Sequence, residues 1–212
     1  HGVLNTDNMN VTGESFDYGP WRWLPQWDPG FTAAYFDHQC LYAFGRQPEA
    51  IRWNLGQLAV ALRPLAEVEP LLAALDRFGP LYGAAMTRRF CWRLGVAGQG
   101  LERDAQVIEA AERTMRAKGI GPDAFFYRHR GGRAAQGDLG QALAGYQPLD
   151  SEHDYWRDGL PETMLIDEVE TLWSAIDQRD DWAPLMDKVA RLRRMGSALG
   201  NPPSPYGINP IA

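Results

Sequence analysis

The stretch that decides the reading is His1-Gly2-Val3-Leu4-Asn5-Thr6-Asp7-Asn8-Met9, followed closely by Phe16-Asp17-Tyr18-Gly19-Pro20 and then by Asp28-Pro29-Gly30-Phe31. Asp7, Asn8 and Asp17 place two carboxylates and an amide within one short, turn-rich segment. Such hard oxygen donors suit a cation like magnesium, which is often shared with nucleotide phosphates. Taken alone, Asn5-Thr6-Asp7-Asn8 reads as an ordinary turn, because Asn and Asp side chains bond their own backbone and tolerate left-handed conformations. The two companion motifs, in fixed order, raise it above that reading.

In protein kinases a catalytic-loop Asp acts as base, an Asn holds metal, and the Asp of a DFG triplet holds metal beneath the triphosphate. Asp7, Asn8 and Asp17-Tyr18-Gly19 invite the same assignment. The spacing departs from an ordinary kinase, however, since Asp7 and Asn8 are adjacent and His1 is not followed by Arg-Asp. The pattern instead resembles the SelO/YdiU family, whose HGVxNTDNM, DYGP and DPGF segments all occur here. Gln47-Pro48, Trp53-Asn54-Leu55 and Ala61-Leu62-Arg63-Pro64-Leu65 resemble that family's next helix. The match is most specific over residues 1 to 65 and weakest beyond 130.

The resemblance implies a kinase-like enzyme that moves AMP rather than phosphate from ATP onto Ser, Thr or Tyr hydroxyls of proteins. Asp7 would be the catalytic base, and Asn8 and Asp17 would hold magnesium or manganese, with Asp17 also close to the ATP phosphates. The phosphate-clamping Gly, Arg and Lys residues of such enzymes precede the catalytic loop. Here Lys118 and Lys188, the two lysines of the sequence, fall in predicted helices, and the run Gly95 to Gly100 is not GxGxxG. The chain is therefore expected to be a C-terminal piece of a longer enzyme and inactive alone. That it begins with His1, directly at a motif, carries the same expectation.

Beyond the loop the texture becomes helical. Ile51, Leu55, Leu58, Ala59 and Leu62 recur at three and four residues, the spacing of a buried helical face. A second helical region, from Val68 to Leu94, is expected to break near Gly79-Pro80, with Leu71, Leu72, Leu75, Phe78, Tyr82, Met86, Phe90 and Leu94 facing inward. Leu101 to Lys118 reads as an amphipathic helix closed by Gly119, and Asp123 as the cap of a short helix carrying Phe125 and Phe126. Residues 131 to 148 show weak periodicity, whereas 162 to 177 and 181 to 195 are again helical. The expected fold is mainly α: the helical C-lobe of a protein-kinase-like fold with a short loop-and-strand catalytic segment at its N-terminus. Residues 1–48 would form that metal-binding segment and 49–212 the helical body.

With 212 residues and 45% hydrophobic content the chain can bury a sizeable core. Its formal charge is −6 and no long basic face dominates, so nucleic acid is not an expected partner. There is no apolar run of about 18 residues to span a bilayer and no signal-peptide pattern in the first residues. Cys40 and Cys91 are too few for a disulfide framework and have no zinc-ligand spacing; they read as ordinary thiols of a cytoplasmic protein. His38, His129 and His153 lack metal-ligand spacing, and the aromatics Phe16, Tyr18, Trp21, Trp23 and Trp27 read as packing residues. Two other readings stay open: a catalytically silent helical interaction module, and an atypical protein kinase. The oligomeric state stays open as well.

Overall fold

A computed structural model describes residues 2–13, 22–149, 152–157 and 159–203. The mainly helical expectation holds. Among the described residues eight α-helices follow one another: α1 (Gln47–Leu62), α2 (Val68–Asp76), α3 (Phe78–Leu94), α4 (Leu101–Lys118), α5 (Pro122–Arg128), α6 (Gly137–Ala142), α7 (Ile166–Arg179) and α8 (Ala183–Leu199). The short strands expected near the N-terminus have no counterpart among the described residues. An antiparallel bridge joins Val96 and Pro148. The chain divides into two compact units, the first comprising His1–Leu24 with Asp28–Gly83 and the second Pro25–Trp27 with Ala84–Ala212.

In the first unit, side chains that bond their own backbone hold the loops in place. Asp28 accepts from the Gly30 amide at 2.9 Å, closing the Asp28-Pro29-Gly30-Phe31 turn. Phe31 and Pro29 then accept from the Phe44 and Gly45 amides at 2.9 and 2.8 Å. A Cβ at Gly45 would lie 2.8 Å from that of Pro29, so the close approach needs glycine. Asp37 accepts from the Leu41 and Tyr42 amides. Desolvation works against the charge of its carboxylate, but the backbone donors of Tyr42, Leu41 and Gln39 outweigh it and hold the carboxyl below its ordinary range.

Helix α1 starts with Pro48 in its first turn, where a missing amide hydrogen costs nothing. It packs beside α2. The break expected near Gly79-Pro80 is present, at Arg77 between α2 and α3. Pro80 lies in the first turn of α3, where the amide hydrogen it lacks would have no partner within that helix. Of the residues expected to face inward across this region, Phe90 and Leu94 are buried, while Leu72 and Met86 are exposed.

The second unit is built around α4. Val107, Ala110, Ala111 and Met115 on that helix meet Phe90, Leu94, Phe125, Leu139, Leu143 and Tyr146, all buried. Gly119 ends α4 in the left-handed conformation (φ 59°), as its position in the sequence indicates. Asp123 does not cap α5; it accepts a 2.7 Å bond from Arg93 Nη2. The salt bridge draws its carboxylate away from the helix's amides.

Asp104 ties the core together, accepting from Tyr146 Oη at 2.8 Å and from the Gln99 amide at 2.9 Å. Burial, helped by Asp104, pushes the nearby Cys91 thiol up to about 12, which keeps it protonated and unreactive. A second cluster joins Tyr127, Tyr155, Trp156 and Ala198. Near it, Lys188 on α8 is 1% exposed and donates to Glu162 at 2.7 Å and Glu168 at 2.6 Å. Arg130, also buried, donates to the Trp92 carbonyl at 2.7 Å and lies over the Trp156 ring. It comes so close to Gly95 (φ 74°) that a Cβ there would fall 2.4 Å from Arg130 Nε.

Candidate functional site

Asn5 organises the loop. Its Oδ1 accepts from the backbone amides of Asp7 at 3.2 Å and Asn8 at 3.1 Å, and its carbonyl accepts from the Asn8 amide as well. These bonds fold the chain over at Thr6-Asp7 and leave Asp7 exposed at the tip of the turn. Asn8 is half-buried, and its Nδ2 donates to the Val3 carbonyl at 3.0 Å. With the amide nitrogen engaged, Oδ1 is the Asn8 atom left to meet a cation.

The turn is anchored from below. Asn54, at the midpoint of α1, donates through Nδ2 to the Leu4 carbonyl at 2.5 Å and to the Ala50 carbonyl at 2.8 Å. It is the one buried residue of that helix. A buried amide is costly unless bonded, and here its bond fixes the loop to the helix. The sequence marks Asn54 only as part of a helix motif. The available signal was a poor helix former surrounded by Trp53, Leu55 and Leu58.

The structure therefore brings Asp7 and Asn8 together on one rigid turn. Asp17, the third expected site residue, lies outside the described residues, as do His1 and the Tyr18-Gly19-Pro20 segment. Among the described residues no three His, Cys, Asp or Glu side chains converge on a metal position. Both lysines lie in helices, as their sequence context indicates: Lys118 at the end of α4, and Lys188 in α8, where it pairs with Glu162 and Glu168. Cys40 is exposed and Cys91 buried, both as free thiols.

Two hollows flank the turn. Asn5, Leu4, Tyr42, Arg46, Trp53 and Asn54 line one of about 240 Å³. Thr6, Met9, Val11, Trp53 and Leu58 line the other, of about 650 Å³.

A family model for protein adenylyltransferase SelO matches residues 1–157, which include this turn and its anchoring helix. The chain belongs to the SelO family. Among its SelO/YdiU relatives is a protein nucleotidyltransferase YdiU of Gloeobacter violaceus, 34% identical over 92% of this chain and 46% of that protein. The YdiU protein of a Synechococcus species is 35% identical over 95% of this chain and 48% of that protein. The protein of Hahella chejuensis reaches 46% identity, over 48% of this chain and 21% of its own length. The chain thus spans about half the length of the Gloeobacter and Synechococcus proteins. Membership makes it part of a nucleotidyltransferase family of transferases.

Among the described residues, no helix is long and apolar enough to cross a membrane.

Proposed function

We propose that this chain supplies the catalytic turn and helical body of a protein adenylyltransferase that joins AMP from ATP to Ser, Thr or Tyr hydroxyls. The observation that carries the reading is the turn itself: Asn5 and Asn54 hold it, Asp7 projects from it, and Asn8 keeps an oxygen in reserve.

Asp7 acts as general base. Its carboxylate takes the proton of the target hydroxyl as that oxygen bonds to the α-phosphorus and the bond to the β-phosphate oxygen breaks, releasing pyrophosphate. An exposed carboxylate can meet a protein substrate without rearrangement of the fold. Asn8, with Asp17, holds magnesium or manganese, and the donor chemistry fits, since magnesium keeps several waters and takes few protein oxygens besides those of phosphates. The ion would neutralise charge on the departing phosphates. Holding the loop carbonyl at Leu4, Asn54 keeps the base and the metal ligand at fixed separation. Lacking a phosphate-clamping Gly-rich loop and its lysine, the chain alone transfers no AMP.

The test uses a chimera in which this chain replaces its matched segment in the Gloeobacter violaceus relative. It is given magnesium and ATP labelled at the α- or the γ-phosphate. Protein-bound label from α-labelled ATP alone is the expected result. Label from γ-labelled ATP would make the protein a kinase, and no label from either would leave a silent interaction module.

A further inference from the structure

From residue 53 to 62, α1 reads Trp-Asn-Leu-Gly-Gln-Leu-Ala-Val-Ala-Leu, with apolar side chains pointing in every direction around the helix. A helix apolar all round belongs in a protein interior. Yet Asn54 is its one buried residue, and α2, with Val68, Leu71, Leu72 and Leu75, has none. Trp53 is 61% exposed and Val60 64%, and Leu58, Leu62, Leu65 and Leu72 are exposed beside them. The apolar surface runs past the walls of the 650 Å³ groove along the helix, so it is a face and not a ligand pocket. Among the described residues of the first unit the buried hydrophobic side chains are Val3, Ala33, Ala34 and Ala43, all smaller than the exposed Trp53 and Leu72.

We infer that the exposed face of α1, centred on Trp53 and Val60, is the seat of the other half of a SelO-family chain, the part of the longer relatives that this chain does not span. The relatives are about twice the matched length, so they carry a further body of comparable size on the same polypeptide. The fully buried centre of a contact between two bodies is expected to be apolar. The inference rests on family membership and not on which group the loop transfers.

Hydrogen exchange of residues 53–62 is compared in the isolated chain and in the Gloeobacter violaceus chimera. At least tenfold slower exchange in the chimera is expected, reversed by Trp53→Asp with Val60→Asp. Asp7→Ala should leave that protection intact, which separates this inference from the catalytic reading. Equal exchange in both proteins would overturn it. So would a concentration-dependent dimer of the isolated chain that protects the same residues equally, since a second copy would then be the occupant. As an independent measurement, the isolated chain is titrated with the separately expressed remaining half of that relative. A 1:1 complex weakened at least tenfold by the double substitution supports the seat; no complex counts against it.

Discussion

Among the described residues, the largest buried hydrophobic side chain of the first unit is Val3, whereas in the second Leu94, Met115 and Phe125 are sealed from solvent. The unit that carries the candidate chemistry thus buries, among the described residues, the smaller apolar side chains, and polar side chains bonding backbone give it order: Asn5, Asp28, Asp37 and Asn54. In the second unit apolar packing provides the order, and polar groups such as Asp104 and Lys188 are paired inside it. Hydrogen bonds fix geometry while adding little net stability, and burial does the reverse. Substitutions should therefore separate function from stability along the same division.

The largest expected effect is on chemistry alone. Asp7→Asn in the chimera should lower AMP transfer by about 10²- to 10⁴-fold, the range for loss of a general base, with an unchanged melting temperature. In the isolated chain, Phe125→Ala should cost about 3–5 kcal/mol, the usual loss for a buried phenyl ring, read as a lower urea midpoint. Lys188→Met leaves Glu162 and Glu168 without their shared cation; because both glutamates keep some contact with water, the loss should be nearer the bottom of that range, about 3 kcal/mol.

Acid should also act on the second unit. His129 is buried against Phe125, with Nδ1 on the Arg133 carbonyl and Nε2 without a partner. Burial pushes its pKa below the ordinary 6.5; the Arg133 carbonyl opposes this, and Lys118, Arg128 and Arg133 add to it. With the folded value depressed, the unfolded chain binds the proton more readily. The stability is therefore complete above pH 6.5 and declines as pH falls from there toward the folded value. One such group gives a slope of at most about 1.4 kcal/mol per pH unit, measurable by urea unfolding at stepped pH, and His129→Gln should flatten it. The smallest effect is expected at Val60→Ala, within about 0.5 kcal/mol in the isolated chain. A larger cost there would show that the first unit already buries this face, and would erase the contrast.

The sequence discloses these two kinds of order unequally. Helix α4 is legible from Ala111 and Met115 at helical spacing and from Gly119 at its end, because one side of it faces a core and the other faces water. The periodicity of α1 reveals a helix, but the face it marks for burial is not buried. Of Ile51, Leu55, Leu58, Ala59 and Leu62 none is sealed from solvent, and Leu58 and Leu62 are exposed, because apolar side chains surround the helix and the spacing selects no single side. Residues 131 to 148 look featureless because α6 is held by Leu139, Leu143 and Tyr146 against α4, a tertiary contact that local propensity does not contain. Of the candidate site, Asp7 and Asn8 are legible as a motif. The anchoring role of Asn54 is not, because it depends on a contact fifty residues away along the chain. Similarly, Asp123 has the residue type and position of a cap, and only the approach of Arg93 explains its different use.

The close passage of Arg130 over Gly95 constrains how this sequence can change over generations. A single replacement at position 95, even by alanine, must push the guanidinium off the Trp92 carbonyl and the Trp156 ring and also adopt a positive φ. Shortening Arg130 first would remove the collision but strand those partners. Neither order of two single steps avoids a less stable intermediate, so glycine at 95 and arginine at 130 should be inherited as a pair.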